Sequence, residues 1–312
     1  MAESAKAQES RSETEPDAPA PPPYSSDASS LPQAEPTTSS AARPPPSPGA
    51  VVPSLQPPFV PHRAFPPLMT AYYIYEMSLE TFKYFRLCGG TDKTDVLLTC
   101  EMCTGLVPRS PLGTRPGIIL HNGPSKDAPV LAATGAESQR AAQYLSFNPR
   151  SVVLLPPLRA APRATVRDLT TTTMRAVRVE ENKGVGFQLS LAVGGPDARD
   201  RDEFEWRKGT WEGATPGRTD SGYTLLRLAP SGREHEVIAT LKWPRGLEWL
   251  TKAFTLELKG SAHNGSLGDR GVLMIVATAM RIFNLRLAGQ AGKGYLSIAD
   301  KTHKKEARGQ EW

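Results

Sequence analysis

The sequence predicts a mainly β protein: a closed antiparallel barrel of about 12 strands enclosing a C-terminal hydrophobic α-helix, with a disordered N-terminal tail. Three observations lead to that class. Short runs of alternating polarity, separated by turn-forming residues, fill the chain from Thr70 to Leu258. One stretch, LGDRGVLMIVATAMRIFNLRLAG from Leu267 to Gly289, is apolar enough to need enclosure. The prolines are lopsided, with 17 of the 30 lying before Leu68.

The tail, residues 1–66, is built mostly from Pro, Ser, Ala, Thr and Glu. It has too few apolar side chains to offset the entropy of ordering its backbone. Polyproline-II character is expected at Pro21–Pro23 and at Pro44–Pro48. Pro21, Pro22, Pro23 and Tyr24 spell a PPPY on which an SH3- or WW-type partner would dock, and they read equally well as solvated tail. The tail carries seven acids and four bases, a net of −3, which leaves 33 bases and 25 acids, a net of +8, on the remainder. Such a surface suits anionic partners or serves solubility alone. The opening MAESAKAQESRSETEP has no apolar signal region, and three cysteines do not make a disulfide framework, so a cytoplasmic or nuclear location is expected.

From Thr70 the strands follow in order: YYIYEM near Tyr72, FKYFRLC near Phe82, DVLLTCEM near Asp95, GIILHN near Gly117, PVLAAT near Pro129 and SVVLLP near Ser151. DLTTTTMRAVRV from Asp168, GFQLSLAV, EFEWRKG, GYTLLRLA from Gly222, HEVIATLKW and KAFTLELKG complete the set. KAFTLELKG puts Phe254, Leu256 and Leu258 on one face and Thr255, Glu257 and Lys259 on the other, the period of a half-buried strand. Turns at LCGGTDKTD, HNGPSKDAP, VGGPDARDRD and GATPGRTDSG separate them. MSLETF at Met77 has room for one helical turn.

The apolar stretch either crosses a membrane or fills the barrel. Gly271 to Leu287 is 17 residues, about 25 Å of helix against a hydrocarbon core of roughly 30 Å. It also carries Arg281, Asn284 and Arg286, which lipid would penalise. A barrel of so many strands is too wide for its own side chains to fill. A central helix, 269–287, is therefore expected inside it, with Val272, Ile275, Val276, Ala279, Ile282 and Phe283 as core. Asp269 is the expected N-cap, Gly289 the stop, and Thr278, Arg281 and Asn284 a polar edge facing a mouth. The folded unit thus spans 67–289, followed by a basic C-terminal tail, 290–312.

Candidate chemistry is sparse. CEMC at Cys100 to Cys103 has metal-ligand spacing, with Cys88 and His121 as further donors, yet strand residues three apart face opposite sides. Two semi-buried thiols are the simpler expectation, and no metal or cofactor is assigned. There is no GxSxG, and His62, His121, His235, His263 and His303 lack recognisable partners. Glu203 and Glu205 read as solubilising residues on the polar face of a strand. The loop Gly260 to Asp269 feeds the helix start without a P-loop lysine. Arg159, Arg163 and Arg167 form one basic run, and Lys301, Lys304 and Lys305 lie in a second; either can meet anionic headgroups or simply be solvated. Neither an RNP-like stripe nor a recognition helix points to nucleic acid.

Several stretches together carry a family likeness: YYIYE at Tyr72 to Glu76, GIILHNGPSKDAPVLAA at Gly117 to Ala133, LPPL at Leu155 to Leu158, EFEWRKG at Glu203 to Gly209, and KGSAHNGSLGDRGVLMIVATAMRIFNLRL. From about Thr70 to Gly289 the chain resembles the tubby C-terminal-like superfamily, which takes in tubby proteins, phospholipid scramblases and LURP-one-related proteins, and most closely its small fungal branch. The resemblance implies a strand barrel around one greasy helix and, through tubby, phosphoinositide binding by basic surface residues. The acid-spaced calcium loop of scramblases is missing here, with Asp269 the acid beside the helix. The expected function is a non-enzymatic binding or scaffold protein that contacts anionic membrane lipid. The alternatives are a scramblase-like protein anchored by Leu267 to Leu287, and an adaptor acting through the proline-rich tail.

Overall fold

The computed structural model describes residues 59–74, 83–138, 150–158, 164–179, 184–193, 201–212, 219–229 and 235–292. Residues 1–58 of the proposed tail, with its PPPY, the MSLETF turn and the 293–312 segment lie outside them, whereas 59–66 are described and lead into the first strand. Twelve strands form one closed barrel in which each is hydrogen-bonded to its neighbours in sequence, and the first pairs with the last. They are β1 Leu68–Tyr73, β2 Tyr84–Gly89, β3 Val96–Cys103, β4 Gly117–His121, β5 Val130–Ala136 and β6 Arg150–Leu155. Then come β7 Thr170–Val179, β8 Gly184–Ala192, β9 Arg201–Glu212, β10 Thr219–Leu228, β11 Glu236–Lys242 and β12 Lys252–Leu258. Every strand expected from the sequence is present, all neighbours run antiparallel, and β1 closes on β12 with Met69 opposite Leu256.

Alternation sets the register where only the inner face is dry. Phe187, Leu189 and Leu191 of β8 point inward and Gln188 outward, while Phe204 and Trp206 of β9 are fully buried. The apolar runs of β3 to β6 have a different cause, since they are dry on both faces. Ile118 and Leu120 of β4 enter the interior. Ile119, Cys103, Ala133 and Leu154 form a second cluster on the outside with Leu112 of the β3–β4 loop. Two glycines let backbones pass closely: a side chain on Gly222 would lie 1.8 Å from the Leu241 carbonyl oxygen, and one on Gly117 would lie 2.1 Å from that of Thr134.

After the short α1 (Gly260–His263), the chain turns inward as α2, Gly268–Leu287, about 30 Å long at 1.5 Å per residue. Every residue from Gly271 to Phe283 is buried, including Val272, Ile275, Val276, Ala279 and Ile282. Phe283 anchors the far end, its ring 5.5 Å from Phe254 and 5.7 Å from Phe85. Gly289 adopts φ +69 and ends the helix as expected, the Gln290 N–H returning to the Leu285 carbonyl at 2.7 Å.

Two details of the helix differ from expectation. Asp269 is not the N-cap: Leu267 takes that position in right-handed backbone with no side-chain cap, which moves Asp269 into the first turn. Nor do Thr278 and Arg281 face a mouth; both are buried, because the barrel wall supplies their partners. Trp206 Nε1 donates to Thr278 Oγ1 at 3.0 Å, and Arg281 Nε donates to Ser151 Oγ of β6 at 2.9 Å. Arg281 also reaches Asn284 Oδ1 at 2.6 Å. No helix among the described residues is long and apolar enough to cross a membrane.

Candidate functional site

The topology gives the barrel two unlike mouths. Strands β1, β3, β5, β7, β9 and β11 run toward the end where α2 finishes, and the others run toward the end where it begins. The entry mouth, where α2 begins, gathers the turn after β6, the end of β8, a strap before β1 (residues 59–67) and the α1–α2 corner. Arg167 sits here, exposed, in a 3-10 turn, Val166–Asp168. Asp168 accepts hydrogen bonds from the Thr165 N–H at 2.6 Å and the Thr165 hydroxyl at 3.0 Å, which hold its carboxyl below the usual range and keep it engaged within the turn. Arg159 and Arg163 lie outside the described residues, as do Lys301, Lys304 and Lys305. The chain leading to those lysines leaves at the opposite mouth, beyond Gly289, so the two basic segments are rooted at opposite ends.

At the entry mouth a cavity of about 280 Å³ lies against the start of α2. The strap closes one side, tied down where His62 N–H donates to Asn122 Oδ1 at 2.8 Å and Asn122 Nδ2 donates to the Val60 carbonyl at 2.7 Å. Arg270 stands in the cavity wall and donates to the Pro156 carbonyl at 2.8 Å, the Ala192 carbonyl at 2.9 Å and Thr170 Oγ1 at 3.1 Å. Burial, and after it the like charge of Arg201, lowers the affinity of this guanidinium for its proton. Sequence reasoning marked the loop into the helix but not Arg270, since no local pattern shows that a helix residue will span β6, β7 and β8.

At the exit mouth two described loops and the end of α2 hold apolar side chains in water. Between β11 and β12 a 3-10 turn, Gly246–Leu250, holds Leu247 80% and Trp249 57% exposed, with Leu250 beside them. After β3 the loop presents Leu106 at 76% and Val107 at 62%, and α2 ends on an exposed Leu287. β12, β1 and β2 separate the two loops, a gap on the order of 15–20 Å at strand spacing. The charges beside the 3-10 turn are paired, Arg245 with Asp220 and Lys252 with Glu248. Arg286 lies over the Trp243 ring, 4.3 Å from its centroid.

The thiols divide as strand geometry requires. Cys100 points into the interior and Cys103 into the outer cluster. Burial pushes Cys88 and Cys103 up to about 11 and Cys100 higher still, so all three stay protonated. No group of three metal-ligating side chains forms among the described residues. Glu205 departs from the solubilising role expected of it: it is buried on the outer wall, with Arg207 Nη2 donating to it at 3.0 Å above the bare backbone of Gly186. Another outer-face group escaped the sequence reading. His121 and Glu101 are both buried, 3.5 Å apart, with Arg109 also 3.5 Å from Glu101, and only the β3–β4 register brings them together.

Comparison of the chain with protein-family models, with curated proteins and with solved structures finds no match. The class defined by the fold is thus an architectural one, a closed antiparallel β-barrel plugged by an axial helix.

Proposed function

We propose that this protein is a non-enzymatic binding module of the tubby C-terminal-like kind that docks peripherally on anionic membrane lipid through its exit mouth. The observation that carries the reading is the gathering of Leu106, Val107, Leu247, Trp249 and Leu287 on one rim, from three separate segments. Trp and Leu side chains raised on a loop suit the headgroup boundary, where an indole keeps its N–H wet and buries its rings. Each of Leu247, Trp249 and Leu250 gains about 1–2 kcal/mol on leaving water. The segment that leaves this mouth carries Lys301, Lys304 and Lys305, each contributing about 1 kcal/mol near an anionic surface. Apolar insertion sets the depth and the lysines set the lipid preference.

Flotation with neutral, phosphatidylserine-containing and phosphoinositide-containing liposomes tests this. Retention is expected on the anionic vesicles, to weaken with salt, and to be lost in the Leu247→Glu/Trp249→Glu variant. Absence of salt-sensitive retention at every composition sinks the proposal. A protein anchored by Leu267 to Leu287 would instead resist carbonate extraction, against which stands the enclosure of that helix by twelve strands. An adaptor acting through Pro21 to Tyr24 would lose its partners on deletion of residues 1–66 and keep them in the rim variant.

A further inference from the structure

We propose that the entry-mouth cavity is a binding site for a small amphiphile with one apolar chain or ring and one carboxylate. The site lies at the opposite mouth from the membrane contact proposed above and does not rest on it.

The walls set the apolar half of the ligand. Phe59, Val60 and Pro61 of the strap, Pro156 and Pro157 after β6, and Val193 after β8 line the space, together with Leu267 and Leu273 beside the start of α2. Three of these residues are prolines, whose fixed φ means the walls lose little freedom when a ligand enters. Phe59 adopts φ +74, unlike every other non-glycine residue described, so backbone strain is held in the cavity wall. A cavity of about 280 Å³ is roomy enough to hold water. Water against such walls finds few partners, and an alkyl chain or single ring that displaces it gains affinity.

Arg270 sets the polar half. Its guanidinium has five N–H donors, and the three contacts to neutral acceptors leave donors over. No carboxylate pairs with it among the described residues, and the charge beside it, Arg201, has the same sign. A half-buried cation without a counter-charge favours a ligand that brings one, and the planar fork matches a carboxylate. Asp269 also lines the cavity and would favour a cation. It is exposed, however, and solvent weakens its field more than that of half-buried Arg270.

Calorimetric titration of the full chain with octanoate, octanol and octylammonium, each below its aggregation limit, tests the assignment. Octanoate is expected to bind saturably at one site, octanol about tenfold or more weakly, and octylammonium without saturation. Ala192→Phe, which fills the cavity and leaves the backbone acceptor of Arg270 in place, is expected to weaken octanoate at least about tenfold. Its fold is checked by circular dichroism and melting temperature. Because the ligand series is read on the unaltered protein, an unfolded variant does not blunt the test. Octanoate failing to saturate, octanol or octylammonium matching it, or a folded Ala192→Phe binding as well as the parent overturns the proposal. Loss of vesicle flotation with octanoate binding intact would count against the membrane reading alone.

Discussion

Replacing Thr278 with valine isolates one polar contact between the barrel and its plug. Valine keeps the shape and removes the hydroxyl, so the indole N–H of Trp206, now 3.0 Å from Thr278 Oγ1, is left with no acceptor in a fully buried position. The hydroxyl's own bond to the Met274 carbonyl, at 2.8 Å, is lost as well, but that carbonyl lies within a helix ladder. An orphaned buried donor costs about 1–3 kcal/mol, and this sets the expected loss for Thr278→Val. Trp206→Phe removes the donor and leaves a void instead, so its cost is one of packing. Joined, the two changes are expected to cost about 1–2 kcal/mol less than their sum, because the orphan disappears with the indole. Urea unfolding followed by far-ultraviolet circular dichroism measures all four proteins. Thr278→Val within about 0.5 kcal/mol of the parent, or simple additivity, would refute the hydrogen-bond argument.

Val276→Asp places an unpaired carboxylate inside the barrel and is expected to yield no protease-resistant product, whereas Val276→Ala folds with a stability loss of about 1–3 kcal/mol; limited proteolysis distinguishes them. Gly222→Ala is expected to cost at least about 2 kcal/mol, since its methyl meets the Leu241 carbonyl, while Gly292→Ala, with nothing within 4 Å, stays within about 0.5 kcal/mol in thermal melts. The thiols give a pH dependence: Cys88 and Cys103 ionise near 9 unfolded and near 11 folded, so the unfolded chain loses protons first. Stability is then full below pH 9 and falls above it, by up to about 1.4 kcal/mol per pH unit for each thiol. Urea midpoints measured from pH 7 to 10 should be flat and then descend, and Cys103→Ala should shallow the descent.

The architecture was legible because each part of it repeats along the chain. Period two marks β8, β9 and β12, and an apolar helix with no wet face has to be enclosed, which together dictate closure around a plug. The alternation read in HEVIATLKW fails at its start, because the ladder skips Ile238, which turns inward and leaves Val237 exposed. What escaped depends on register between distant residues. Arg281 looks like the edge of a mouth until Ser151, 130 positions away, is placed beside it. Glu205 looks solvated until the missing side chain of Gly186 makes room for it on the wall. The entry cavity has contributions from four separated segments, and Arg270 within it reads as an ordinary surface residue of a helix start. The exposed turn at Leu247 and Trp249 is written plainly in GLEWL, but its apolarity looks like core until the strands on both sides are seen to end before it.

The plug is the last described element in chain order and the innermost in space. A ribosome therefore releases all twelve staves before the peg on which they are to be assembled. Until Leu267 and its successors emerge, the nascent sheet can only curl around a greasy concavity or recruit something else to occupy it. A message broken before that point would yield a sticky open trough rather than a smaller barrel.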